Sequence, residues 1–266
     1  MSFPPPWILS WILVAAMVVV LKSLDLGLAR RRVSCFGTGR LLAYWFLWPG
    51  LAASRFFARD ELRDDESIAW PGPLLLLLGL PALLALLSPT LQSRPLLLAA
   101  VGLALLAGAI FFGAVPLIVL AFRRQGINAV PAMHSPFLAR TLSELWGGRW
   151  NAWTARLASE LLALPLTRRL GIAPGLLLTF LLSGLAHELV ITVPAGGGWG
   201  GPTAYFFVQG TGLLLQRCRF GRRWLAGEPG RLFAIAVVVL PLPWLIPVAY
   251  LEECILPLLG FLGLHG

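Results

Sequence analysis

Apolar residues fall in long runs along this chain, and within many of them no polar face is left over for water. The runs cover Trp7 to Leu21, Leu41 to Phe57, Pro73 to Leu91, Leu96 to Phe122, Ile172 to Val193, Thr203 to Gln216, and Leu232 to about Leu264, the last interrupted at Glu252 and Glu253. A helix rises ~1.5 Å per residue, so runs near 20 residues suit the ~30 Å of a bilayer's hydrocarbon. The pattern predicts an all-α polytopic membrane protein with seven or eight membrane segments. Trp7 to Leu21 reads as a retained first span, because no basic stretch precedes it and no small-residue cleavage site follows.

Polar punctuation separates the runs: Lys22 to Arg40, Arg59 to Glu66, Arg123 to Gly171, and Arg217 to Arg223. If Ile172 to Val193 and Thr203 to Gln216 form an outgoing and returning pair, Arg123, Arg124, Arg168, Arg169 and the 217–223 cluster share one side, the cytoplasmic one by the positive-inside bias. The basic loop after the first span then reaches that side too only if one early run fails to cross. Leu41 to Phe57 is the expected exception, since Pro49 and Gly50 break its middle and Arg55 lies near its end.

The 266 residues are read as a single membrane domain in four parts: N-terminal spans 1–122, an interfacial segment 123–171, a span and its return 172–216, and C-terminal spans 217–266. The interfacial segment mixes tryptophans, arginines and aliphatics at helical spacing, as a helix or two at a membrane surface would. Trp146, Trp150 and Trp153 recur at intervals of four and three and are expected on one face. As a plain anchoring belt they need no further role. Asn151 is a turn or cap on the simplest reading, yet Gly147 and Gly148 before it allow close backbone approach, and Arg149 offers a fixed cation for a phosphate or carboxylate.

Composition agrees with the pattern. Hydrophobic residues make up 58% and charged ones 12%, with a mean hydropathy of +0.81, against roughly 25% charged in a soluble domain. The net charge of +9 does not argue for nucleic acid, because the cations cluster between apolar runs. Lys22 is the sole lysine among 21 basic residues, an arginine bias that points to a bacterial cytoplasmic membrane. Cys35, Cys218 and Cys254 share no metal or disulfide spacing, so neither is expected.

His187 lies about fifteen residues into its run, where an ionisable group marks a functional site unless it is neutral and tied to a backbone carbonyl. A zinc protease is excluded, because Ile191 stands where HExxH needs its second histidine. Ser183 shares a helix face with His187, but no GxSxG surrounds it. A third option is a histidine base acting on a hydroxyl in a water-poor tunnel, with a second polar group such as Asn151 at the acyl carbonyl.

The stretch SPFLARTLSELWGGRWN, preceded by QGINAVPAM and followed about thirty residues later by TFLLSGLAHEL, resembles the wax synthase branch of the membrane-bound O-acyltransferase family. Trp146, Gly147, Arg149, Trp150 and Asn151 match one family motif, with Gly148 in place of an arginine and Leu145 in place of a phenylalanine. Ser183, Gly184, His187 and Glu188 match the second. The resemblance implies a helical bundle enclosing a tunnel and transfer of a fatty acyl group from acyl-CoA, a co-substrate rather than a bound cofactor, to an apolar alcohol. It also implies His187 as catalytic base and Asn151 as second active-site residue. Trp146, Arg149, Trp150 and Ser183 are the expected substrate-binding residues.

Glu188, one step from His187 on the helix, is expected to point away and pair with an arginine or a polar group on a neighbouring span. No resident metal or cofactor is expected, and the expected partners are the bilayer, the donor and a hydroxyl-bearing lipid. The rival class is a transporter or lipid-binding scaffold in which His187 relays protons or links helices.

Overall fold

The computed structural model describes residues 4–31, 33, 36–58, 69–225 and 227–265. The mixed-charge run at 59–66 and Cys35 lie outside them. Among the described residues the architecture is helical throughout.

Proline opens many of the elements, as expected of a residue whose ring presets φ and whose missing N–H is not needed in a first turn. The order begins with α1 (Pro6–Ala29), the short α2 (Thr38–Leu42) continued by a π-helical turn to Leu47, and α3 (Ala53–Phe56). Next come α4 (Pro71–Leu91) and α5 (Pro95–Gly108), the latter passing through a π-helical turn into α6 (Val115–Arg124). An extended loop leads to α7 (Leu142–Glu144), α8 (Ala152–Ala158) and α9 (Leu164–Leu170). The paired α10 (Ile172–Ala195) and α11 (Gly201–Arg217) follow. The chain closes with α12 (Arg219–Trp224), α13 (Gly227–Val239), α14 (Leu242–Leu245), α15 (Val248–Tyr250) and α16 (Leu256–Phe261).

Among the described residues, five stretches are long and apolar enough to cross a membrane: Pro6–Ala29, Pro71–Leu91, Pro95–Arg124, Ile172–Ala195 and Gly227–Leu245. The remaining apolar runs are shorter helices. Leu75 and Leu86 of α4 are largely exposed, which suits a helix apolar all round and surrounded by lipid rather than water.

The segment Leu41 to Phe57 is broken where its sequence indicates. Helix stops at Leu47, Pro49 and Gly50 are non-helical, and α3 restarts after Ala52, which is held at φ 71°. This elbow folds onto α1. Gly50 lies so close to the Trp48 and Trp153 rings that a Cβ would stand 2.5 Å from Trp153. Trp48, Phe56 and Phe122 pack with Trp153 into an aromatic core.

Three expectations need correction. The boundary drawn at Lys22 falls inside α1, which runs seven residues further, because Lys22 and Asp25 are buried and compensated. The Lys22 ammonium donates to the carbonyls of Tyr44 and Trp48. One Asp25 oxygen accepts from the Tyr44 hydroxyl and the Ala53 amide, each at 2.7 Å, and the other pairs with Arg156 of α8.

The interruption expected at Glu252 and Glu253 comes earlier, at Pro241 and Pro247 on either side of α14, while the two glutamates ride exposed on a π-helical turn between α15 and α16. Nor do the tryptophans form a single face. The chain leaves helical geometry at Gly148, so Trp146 packs toward α10 and α11, Trp150 is exposed, and Trp153 enters the elbow core.

Candidate active site

The paired helices α10 and α11 carry the most distinctive chemistry. Their connection, 196–200, turns on Gly196, Gly198 and Gly200, with φ of 64°, 79° and 80°, a left-handed region that side chains disfavour. The helices then run back along one another in contact. A Cβ on Gly184 would stand 2.6 Å from the Thr203 Cα, so glycine there sets how closely α11 approaches.

One turn further on, the Glu188 carboxylate, nearly buried, spans the two helices. It accepts from the Thr203 amide at 3.1 Å and hydroxyl at 2.9 Å, and from the Thr192 hydroxyl at 2.7 Å. Thr203 lies in the first turn of α11, whose free N–H groups and dipole favour an anion. Glu188 therefore engages a polar group on a neighbouring helix, as its position beside His187 indicated.

His187 faces inward between these two fixed points. Its Nδ1 lies 2.7 Å from the Ser183 carbonyl oxygen. A carbonyl only accepts, so Nδ1 carries the proton and Nε2 keeps its lone pair. The ring stacks on Phe206, centroids 4.5 Å apart. Phe206 in turn meets Trp146 at 5.8 Å, and Phe180 meets the Trp146 ring edge-on at 6.0 Å. The Ser183 hydroxyl donates to the Thr179 carbonyl at 3.0 Å rather than to His187, which leaves no serine–histidine nucleophile pair.

The first motif is thus joined to the second through aromatic rings. Trp146 Nε1 donates to Gln209 Oε1 at 3.2 Å, and Gln209, fully buried, passes a bond on to the Val237 carbonyl at 2.7 Å. Gln209 was not singled out from sequence, where one amide in an apolar run looks like any other. Its partners lie 63 and 28 residues away.

Asn151 adopts φ 42° and caps α8, its Oδ1 accepting from the Thr154 amide at 3.4 Å. Arg149 is held within its own loop, donating to the carbonyls of His134 and Ser135 at 3.4 and 3.5 Å and lying 3.6 Å from Glu144. Trp150 is 40% exposed. Among the described residues no hydrogen bond joins Asn151 to His187.

Two concavities flank the motifs. An apolar groove of about 930 Å³ runs along the outside of α10 and α11, with Leu185, Leu189, Trp199 and Phe207 as walls and Glu188 and Thr203 at its floor. A more polar cavity of about 500 Å³ lies between Gly147, Gly148, Arg156 and the elbow residues Ala52 and Arg55.

Residues 129–209, which hold both motifs, match the membrane bound O-acyl transferase family. The match covers both motifs and the helices that carry them, and leaves the flanking spans outside. The chain is also similar to curated plant proteins. It is 28% identical over 124 residues to the probable long-chain-alcohol O-fatty-acyltransferase 2 of Arabidopsis thaliana, covering 43% of this chain and 36% of that protein. It is 30% identical over 139 residues to the probable long-chain-alcohol O-fatty-acyltransferase 9 of the same plant, covering 47% and 41%. The chain thus spans about two fifths of the length of the relatives it matches.

Within the matched stretch the residues of the second motif divide the labour. Gly184 permits the helix contact, Glu188 fastens it, and His187 is the member whose Nε2 has no hydrogen-bond partner among the described residues.

Proposed function

We propose that this protein is a membrane-embedded O-acyltransferase that transfers a fatty acyl group from acyl-CoA to the hydroxyl of an apolar alcohol, with His187 as general base. A structural histidine would also make the Nδ1 bond to the Ser183 carbonyl, so the observation that carries the reading is the other nitrogen: Nε2 has no hydrogen-bond partner among the described residues and is free to accept a proton. The relatives' names supply the substrate class, a long-chain alcohol.

In this reading the alcohol O–H donates to Nε2 as its oxygen attacks the thioester carbonyl. The tetrahedral intermediate collapses to ester and thiolate, and the imidazolium returns its proton to the sulfur, so no acyl-enzyme is needed. The Asn151 amide, or backbone N–H groups of its turn, would stabilise the oxyanion. Asn151 would have to leave its capping bond to Thr154 to do so, since it now caps α8. Trp146 and Trp150 would shape the entry, Ser183 would fix the histidine through its carbonyl, and Arg149 would meet a donor phosphate by exchanging Glu144 for it. The arginine-rich end of α10 and α11 would face the cytoplasm, where the donor resides.

The test is an acyl-transfer assay on protein purified in detergent, with radiolabelled palmitoyl-CoA against fatty alcohol, diacylglycerol and sterol acceptors, run beside His187→Ala. Ester formed with one acceptor and lost in the variant supports the proposal. Folded protein that turns over none of them, while carrying a substrate unchanged across vesicles, would replace it with a transport role.

A further inference from the structure

The arginine cluster after α11 reads in the sequence as a marker of membrane side, but the structure builds it into a surface. Beyond Arg217 the chain folds back at Cys218, whose Sγ accepts from the Gly221 amide at 3.4 Å. Gly221 then lies so tightly on the end of α11 that a Cβ would stand 1.9 Å from the Leu215 carbonyl oxygen. Only glycine allows this approach, and it brings α12 against the end of the longer helix.

With Gly221 facing inward, the other faces of α12 are left outside. Phe220 and Trp224, four residues apart, form one stripe, each 59% exposed, with ring centroids 6.5 Å apart. Arg219 and Arg223 form the adjoining stripe, Arg222 is also exposed, and the Arg223 guanidinium lies 5.4 Å from the Trp224 ring. Among the described residues no carboxylate pairs with Arg219, Arg222 or Arg223. The nearest acid in sequence, Glu228, is engaged by Arg231 at 4.0 Å.

The placement narrows the partner. α12 sits between the end of α11 and the start of the membrane-length helical stretch Gly227–Leu245. Exposed Phe and Trp beside unpaired arginines at such a boundary match the interface between acyl chains and headgroups. The guanidinium fork suits phosphate oxygens.

We propose that α12 is an interfacial binding surface for anionic phospholipid, with Arg219, Arg222 and Arg223 on the headgroup phosphates and Phe220 and Trp224 in the acyl boundary.

The experiment measures binding of dioctanoyl phosphatidylglycerol and dioctanoyl phosphatidylcholine to the full chain in neutral detergent, for wild type and for Arg219→Gln/Arg222→Gln/Arg223→Gln. Wild type is expected to prefer the anionic lipid by about tenfold or more, a preference that falls with added salt. The triple variant is expected to lose most of it, and the single Arg222→Gln, which disturbs no ring contact, to lose part. Equal affinity for the two lipids in wild type overturns the proposal, as does a preference that survives in the folded triple variant. A variant that keeps its lipid preference but binds free CoA more weakly would assign these arginines to a soluble phosphate instead.

Discussion

The Glu188 carboxylate of α10 holds the first turn of α11 through Thr203, accepting both its amide and its hydroxyl within 3.1 Å. The residue beside the candidate base is therefore a structural fastener. Glu188→Ala removes charge-assisted bonds and should lower stability by about 2 kcal/mol, with Glu188→Gln losing less. Thermal unfolding in detergent checks this, and an unchanged midpoint for the alanine variant would mean the cap is not what joins the helices.

His187→Ala should reduce ester formation by about 10²- to 10⁴-fold with little change in unfolding temperature. Ser183→Ala should stay within about tenfold of wild type, because the carbonyl rather than the hydroxyl holds the ring. A serine variant as inactive as the histidine variant would return the hydroxyl to the chemistry.

Asn151 can be probed through its backbone. At φ 42° glycine is tolerated where alanine is strained by roughly 1–2 kcal/mol. Asn151→Gly should therefore fold well and, if the amide serves the oxyanion, lose about 10²-fold in turnover. Full activity in that variant would leave Asn151 as a helix cap alone.

Gly184→Ala places a methyl 2.6 Å from the Thr203 Cα. Overpacking of this kind costs typically 1–3 kcal/mol, and prising α11 away should shift Phe206 off the His187 ring. Activity is expected to fall further than the stability loss explains, which a comparison of turnover per folded molecule would reveal.

Asp25→Ala takes from Arg156 one of its two carboxylate partners, leaving Glu160, and frees the elbow. Breaking a buried pair costs about 3–5 kcal/mol, and the lower end applies because the Arg156 side chain is 26% exposed. Limited proteolysis should then cut between residues 38 and 56 sooner than in wild type, and equal cutting rates would remove Asp25 from the elbow's support.

The membrane class, the long helices and the break at Pro49 were all legible along the chain. Length, apolarity and proline are properties of consecutive residues, and in hydrocarbon each helix must satisfy its own backbone. The two motifs pointed to His187 and Asn151 for the same reason, as each is a short local string.

What the chain order alone could not reveal is how distant groups compensate one another. Lys22 and Asp25 look like the start of a polar loop, yet they lie buried within α1 because Tyr44, Trp48, Ala53 and Arg156 come back to meet them. The tryptophan spacing suggested one stripe, but Gly148 turned the chain and sent Trp146 and Trp153 into different cores. Local composition fixed which segments enter the membrane. The free energy of a buried charge or ring depends on partners brought from elsewhere, and those only the tertiary structure decided.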